Sequence, residues 1–169
     1  MRFLKNIVLV VALIFAIYSC KVKYSFTGAS IAPDVKTVSV QFFKNNAPLA
    51  NPTLSQSFTE ALKDIFNSQT NLGLVASGGD LNFEGAITGY STSPVAIQGN
   101  DAAALNRLTI TVSVKFTNLK DEKQNFEQSF SRFADYSSSE NLSSVEANLI
   151  RDINGQLVQD IFNRAVSNW

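Results

Sequence analysis

Catalysis and metal binding need particular side chains in quantity, and this 169-residue chain supplies few of them. It has no histidine and one cysteine, Cys20. That removes the commonest general base, the commonest metal ligand and any internal disulfide. Two carboxylate pairs stand out by spacing. Glu60 and Asp64 lie one turn apart on the polar side of a helical pattern and read as a solvated face. Asp80 and Glu84 lie at alternate-residue positions of an extended segment and read as an exposed edge. Ser77-Gly78-Gly79-Asp80 makes a turn and not a phosphate loop, because no lysine or helix signal follows it. The chain therefore reads as a non-enzyme with no catalytic residues, no metal and no cofactor.

Cys20 is the residue whose position does suggest chemistry. Arg2 and Lys5 precede an uninterrupted apolar run, Ile7–Ile17, which ends at Tyr18-Ser19-Cys20. A charged start followed by eleven apolar residues has the form of a signal peptide. It is shorter than the roughly 20 residues that cross a bilayer. A small residue directly before the cysteine resembles a bacterial lipobox in a relaxed form. The resemblance implies that residues 1–19 are removed and that Cys20 becomes the first mature residue, acylated on sulfur and nitrogen. Several acyl chains, at about 0.8 kcal/mol per buried methylene, hold a protein to a membrane where one would not. A plain secretory peptide with an incidental or buried free cysteine is the other reading. Lys21-Val22-Lys23-Tyr24 follows without an acidic cluster, which favours the periplasmic leaflet of an outer membrane.

The elements that must carry any surface come next, and one stretch organises them. In Arg107–Asn118 the residues Leu108, Ile110, Val112, Val114 and Phe116 alternate with Thr109, Thr111, Ser113, Lys115 and Thr117. A period of two with β-branched types predicts a strand with one buried and one polar face. Lys36–Phe43 alternates likewise and predicts a first strand, followed by a turn-rich loop over Lys44–Ala50. Asn51 and Pro52 suit the cap and first position of a helix. Its apolar stripe runs through Leu54, Phe58, Ala61, Leu62, Ile65 and Phe66 and fades near Ser68–Asn71. Leu72–Val75 is a short apolar piece. Asp80–Tyr90 predicts a second strand, where Gly85 and Gly89 imply close backbone approach or a bulge. Ser91–Ala104 lacks any pattern and reads as a long connection.

After the central strand, Leu119–Lys123 reads as a charged hairpin turn. Asn125–Tyr136 is then a strand anchored by Phe126, Phe130 and Phe133, with a bulge near Arg132. Ser143-Ser-Val-Glu146 has the form of a capping box, and the stripe Val145, Leu149, Ile150, Ile153, Leu157, Ile161, Phe162 predicts a helix of ~20 residues, long enough to run along the sheet. Gly155 within it suggests close packing on the sheet, and Trp169 suggests packing at the chain end. The expected architecture is an α+β two-layer sandwich in the order β-α-β-β-β-α, a four-stranded mixed sheet covered by two helices. The strand–helix–strand start implies a parallel first pair. Residues 1–19 form the signal peptide, 20–34 the lipidated N-terminus and tether, and 35–169 one domain. Formal charge is zero over the whole chain and near −2 without Arg2 and Lys5, so no general attraction to nucleic acid is expected.

The relaxed lipobox, Tyr24-Ser-Phe-Thr-Gly-Ala-Ser-Ile31, Leu54-Ser-Gln-Ser-Phe-Thr-Glu-Ala-Leu-Lys-Asp64, Asn106-Arg-Leu-Thr-Ile110 and Ile161-Phe-Asn-Arg-Ala-Val-Ser-Asn-Trp169 together resemble the Bacteroidetes branch of the LptE family. That resemblance covers essentially the whole mature chain. It implies a lipoprotein of the outer membrane, on its periplasmic side, that plugs and helps assemble an LptD-type β-barrel and assists lipopolysaccharide transport to the cell surface. It also implies contacts between basic side chains and lipopolysaccharide phosphates. Arg107, Lys115 and Arg132, on or beside adjacent strands, are the candidates here, since arginine grips phosphate through two donors. The Ser91–Ala104 segment, Pro94 above all, is the candidate for insertion into the barrel. Another periplasm-facing lipoprotein adaptor, such as a secretin pilot or envelope-assembly module, is the alternative.

Overall fold

A computed structural model describes residues 31–48, 50–95 and 105–166. Cys20, the 96–104 stretch and Trp169 lie outside the described residues. The elements are β1 (Thr37–Val40), β2 (Lys44–Asn45), α1 (Leu54–Gln69), β3 (Gly73–Val75), β4 (Leu81–Val95), β5 (Leu105–Asn118), a 3-10 turn (Glu122–Gln124), β6 (Phe126–Ser137) and α2 (Leu142–Val166). The strands form one mixed sheet in the order β3-β1-β4-β5-β6, with β2 also paired to β4. β1 runs parallel to both β3 and β4, with Val38 opposite Leu81. β4, β5 and β6 are antiparallel neighbours.

The sheet has six strands where the alternation predicts four. The two extra strands, β2 and β3, are two and three residues long, too short for a period of two to register. The α+β layering stands: α1 and α2 cover one face of the sheet, and Leu108, Ile110, Val112, Val114 and Phe116 of β5 are all buried beneath them. The core is knitted by touching rings. Phe66 meets both Phe83 and Phe162, at 4.9 and 5.1 Å between centroids, and Phe83 meets Phe116 at 4.8 Å. Edge-to-face and tilted pairs of this kind add to the area each ring removes from water. Phe126 and Phe130 extend the row. Phe133 does not: it lies on the opposite face and is 46% exposed.

Two expectations along β4 and β6 shift. β4 continues through Ser91-Thr92-Ser93-Pro94 to Val95, with Pro94 opposite Asn106, so the unpatterned connection shrinks to 96–104. The pattern fails there because beyond Ile87 neither β1 nor β2 flanks β4. A strand open on one edge tolerates proline and needs no apolar alternation. The bulge falls at Thr88 in β4, between Ile87 and Gly89, and β6 keeps register through Arg132. The glycine reading of β4 stands: a Cβ on Gly85 would meet backbone of Ser113 and come within 2.7 Å of the buried Phe43 ring.

Both helix starts differ from the predicted caps. Asn51 is no N-cap; its Oδ1 accepts from the Thr53 amide and hydroxyl, and α1 begins at Leu54. Asn141 directly precedes α2 and caps it, its Oδ1 accepting from the amide and hydroxyl of Ser143 in the first turn. Ser143 and Glu146 therefore make no capping box. Gly155 packs on nothing: a Cβ there would meet no atom within 4 Å, so it faces away from the sheet.

Candidate functional site

The candidate surface is the sheet face that the described residues leave uncovered. Opposite the buried row of β5, Thr109, Thr111, Ser113 and Thr117 point outward. Register places Ser91 and Ser93 of β4 on one side of them and Ser129 and Ser131 of β6 on the other. The result is a lattice of hydroxyls with strands about 4.8 Å apart and same-face residues about 7 Å apart along each strand. Thr111 and Ser131 hydroxyls are 3.0 Å apart across β5 and β6. Two ion-paired clusters bracket this lattice. At one end Lys115 pairs with Glu84 at 2.7 Å, beside a shallow hollow that Phe42, Lys44 and Glu127 also line. At the other end Arg107 forks onto Asp135 through Nε and Nη2, at 2.7 and 2.9 Å. Its guanidinium also stacks 3.5 Å from the centroid of the Phe133 ring.

The three predicted cations do not converge. Arg107 and Lys115 share the open face but stand eight residues apart on β5, about 27 Å. Arg132 lies on the helix-covered side, where it forks onto Asp160 of α2 at 2.5 and 2.8 Å. Each cation has a carboxylate partner, and that partner's hydrogen bond raises the pKa of all three. The Arg107 fork likewise lowers the Asp135 carboxyl. Such exposed pairs fix side-chain direction more than they stabilise the fold. Pro94 lies within β4, one residue from its end.

Asp80 and Glu84 separate as a pair. Glu84 serves Lys115. Asp80 accepts from the backbone N–H groups of Lys36 and Thr37 at 2.8 and 3.0 Å and from the Thr37 hydroxyl at 3.0 Å. Lys120 reaches it at 3.1 Å. The Lys36 N–H first, and then the Lys120 ammonium, hold its carboxyl far below the usual carboxylate range. Asp80 is thus a clasp joining the start of β1 to the β5–β6 hairpin. No group of three or more metal-ligating side chains occurs among the described residues.

One polar node escaped the sequence. The Tyr90 hydroxyl of β4 donates to Glu146 Oε1 of α2, and Asn51 Nδ2 donates to Glu146 Oε2 at 3.0 Å. Burial first, and then the Glu146 carboxylate, push the Tyr90 phenol well up. This node ties the far end of β4 to both helices. The partners are 56 and 95 residues apart, so no local spacing could have signalled it.

Fold and surface together define a two-layer α+β domain, one sheet face packed under helices and the other left open by the described residues. No helix among the described residues is long and apolar enough to cross a membrane. Solved structures share the fold. The protein CT253 from Chlamydia trachomatis superposes with a TM-score of 0.54 at 9% identity, over 79% of this chain and 99% of that one. A Helicobacter pylori protein, described as a homologue of a neuraminyllactose-binding hemagglutinin, gives 0.51 at 10% identity, over 83% and 88%. No curated protein matches. The sequence model of LptE, lipopolysaccharide-assembly, matches residues 35–165. The chain belongs to the LptE family.

Proposed function

We propose that this chain is a lipopolysaccharide-assembly lipoprotein anchored through acylated Cys20 to the periplasmic side of the outer membrane. Its domain lodges in the lumen of an LptD-type β-barrel, where it helps the barrel assemble and lipopolysaccharide pass to the cell surface. Family membership supports the transport role. The observation that carries the plug reading is the open hydroxyl face. A barrel lumen is polar, and a wide serine and threonine surface whose Arg107 and Lys115 are already paired can meet such a wall with those two cations compensated. An apolar open face would instead favour contact with lipid or another core.

The end of the sheet formed by Thr88–Val95 of β4 and its β5 partners carries the 96–104 segment, and we assign barrel insertion to that end, Pro94 included. For phosphate contact Arg107 is the best placed of the three cations. A phosphate would take over the two-donor fork that Asp135 now accepts, while Phe133 keeps the guanidinium plane in place. Lys115 offers one point charge at the other end of the face. Arg132 would have to release α2.

Affinity purification of the lipidated chain from detergent-solubilised outer membranes tests the reading. Recovery of an LptD-type β-barrel supports it, and recovery of a secretin or of no barrel overturns it. Cys20→Ala should shift the exported protein from the membrane to the soluble fraction, and retention in the membrane would refute the anchor. Charge reversal at Arg107 should weaken lipopolysaccharide binding, and unchanged binding would remove it as a ligand.

A further inference from the structure

The long edge of the sheet has no part in the barrel reading. β6 is the last strand of the sheet, and no strand among the described residues pairs with its outer side. It runs from Phe126 to Ser137 in unbroken register with β5. It carries no proline, lysine or bulge, three devices that keep an edge from pairing. The opposite edge strand, β3, is only three residues long.

The ladder fixes which backbone groups this edge presents. Leu119 N–H donates to the Asp80 carbonyl, so odd-numbered residues of β5 turn their backbone groups toward β4 and even-numbered ones toward β6. The even-numbered residues of β6 stand opposite those of β5. Ser129, Ser131, Phe133 and Asp135 therefore hold their N–H and C=O groups out of the edge. Phe133 is also the one exposed phenylalanine of β6; Phe130 is buried and Phe126 half-buried.

We infer that β6 pairs with β6 of a second copy of this chain, antiparallel across a two-fold axis, so that one sheet runs through both molecules. Symmetry and charge select the register. Antiparallel pairing sets residues of one face opposite each other, so the axis passes through a single residue of the strand. An axis at Phe130 would set the Glu127 carboxylate against the Phe133 ring. At Ser131 it would set Glu127 against Asp135, and at Arg132 it would set guanidinium against guanidinium. Like charges directly opposite destabilise a strand pair. An axis at Phe133 avoids all three conflicts, and axes nearer either end leave fewer residues paired. It places Phe133 on its own counterpart, Phe130 on Tyr136, and Ser131 on Asp135, where a hydroxyl meets a carboxylate. Arg132 then faces Ala134 while Asp160 of its own copy holds its charge. Two separately exposed rings become a cross-strand aromatic pair. On the helix side of the edge a hollow lined by Arg132, Gly155 and Gln159 leaves room for the second copy. The contact uses the strand edge and does not rest on the barrel reading.

Sedimentation equilibrium of the chain from residue 20 onward, carrying Cys20→Ala to remove the only native thiol, tests the pairing. The expected result is a reversible monomer–dimer equilibrium. Ser131→Pro removes an N–H that points out of the edge and spares the ladder with β5. It should weaken association at least tenfold, as should Phe133→Ser. Cross-linking reads the register without relying on either change. On oxidation, a Ser129→Cys chain mixed with a Ser137→Cys chain should form a disulfide between them, because Cα atoms opposite each other lie about 5.5 Å apart. Neither chain alone should form one, since its cysteine would lie about 27 Å from its own counterpart. A chain that stays monomeric overturns the inference. So does a dimer indifferent to both substitutions, a dimer without the mixed disulfide, or a Ser129→Cys chain that cross-links as readily to itself.

Discussion

The two faces of β5 are built from one strand and obey different rules. On the covered face five consecutive inward residues are buried in a close-packed core. On the open face their neighbours carry hydroxyls and two ion-paired clusters. The covered face holds the molecule together, and its residues are constrained by volume. The open face contributes little to stability, so its composition is free to suit a partner. That division explains how a small sheet can be stable with one side bare: the helices stabilise it, and recognition is left to the side they do not touch.

The contrast can be broken by substitution. Phe66→Ala removes the ring that joins Phe83 to Phe162 and should destabilise by about 3–5 kcal/mol in denaturant unfolding. A loss under 1 kcal/mol would mean the core is not organised around that ring. Asp80→Asn should cause a smaller loss, and one that depends on pH. The folded carboxyl titrates below its unfolded value near 3.9, so its contribution is present above that value and fades as pH falls through it toward the folded pKa. The Tm gap between wild type and D80N should therefore be full at pH 7 and shrink below about pH 4. A gap that is constant from pH 7 to 2.5 would contradict the clasp.

Gly155→Ala should raise stability by about 1 kcal/mol, because the exposed helix position has room for a methyl group. A loss instead would show that the glycine does something the isolated domain does not reveal. Thr111→Ala on the open face should change stability by no more than about 0.5 kcal/mol. A larger cost would erase the distinction between the faces.

Much of this was legible in the sequence because burial on one face leaves a period. The ten alternating residues of β5 and the stripes of α1 and α2 are written that way, and they fix the α+β layering. Where the physics leaves no period, reading failed. β2 and β3 are too short to alternate, and the outer half of β4 has no apolar face to show. Phe133 looked like an anchor because its type suits a core, but the odd step from Phe130 turns it outward. The cap assignments slipped because Asn51 bonds its own loop ahead of α1, and because α2 starts one residue before Ser143 with Asn141 as its cap. Of the surface residues, Arg107 and Lys115 were found as outward cations on β5. Their carboxylate partners, Asp135 and Glu84, lie on other strands, and only the register of the sheet reveals them. The Tyr90–Glu146–Asn51 node depends wholly on tertiary juxtaposition.

The plug reading meets its most direct test in paired recoveries from outer membranes. The lipidated wild-type chain is compared with a variant carrying Ser129→Arg and Ser131→Arg, two exposed open-face changes that should leave Tm unaltered. The account predicts that wild type brings down an LptD-type β-barrel and that the variant brings down less than a tenth as much. Equal recovery by the two chains, or no barrel with either, would contradict it.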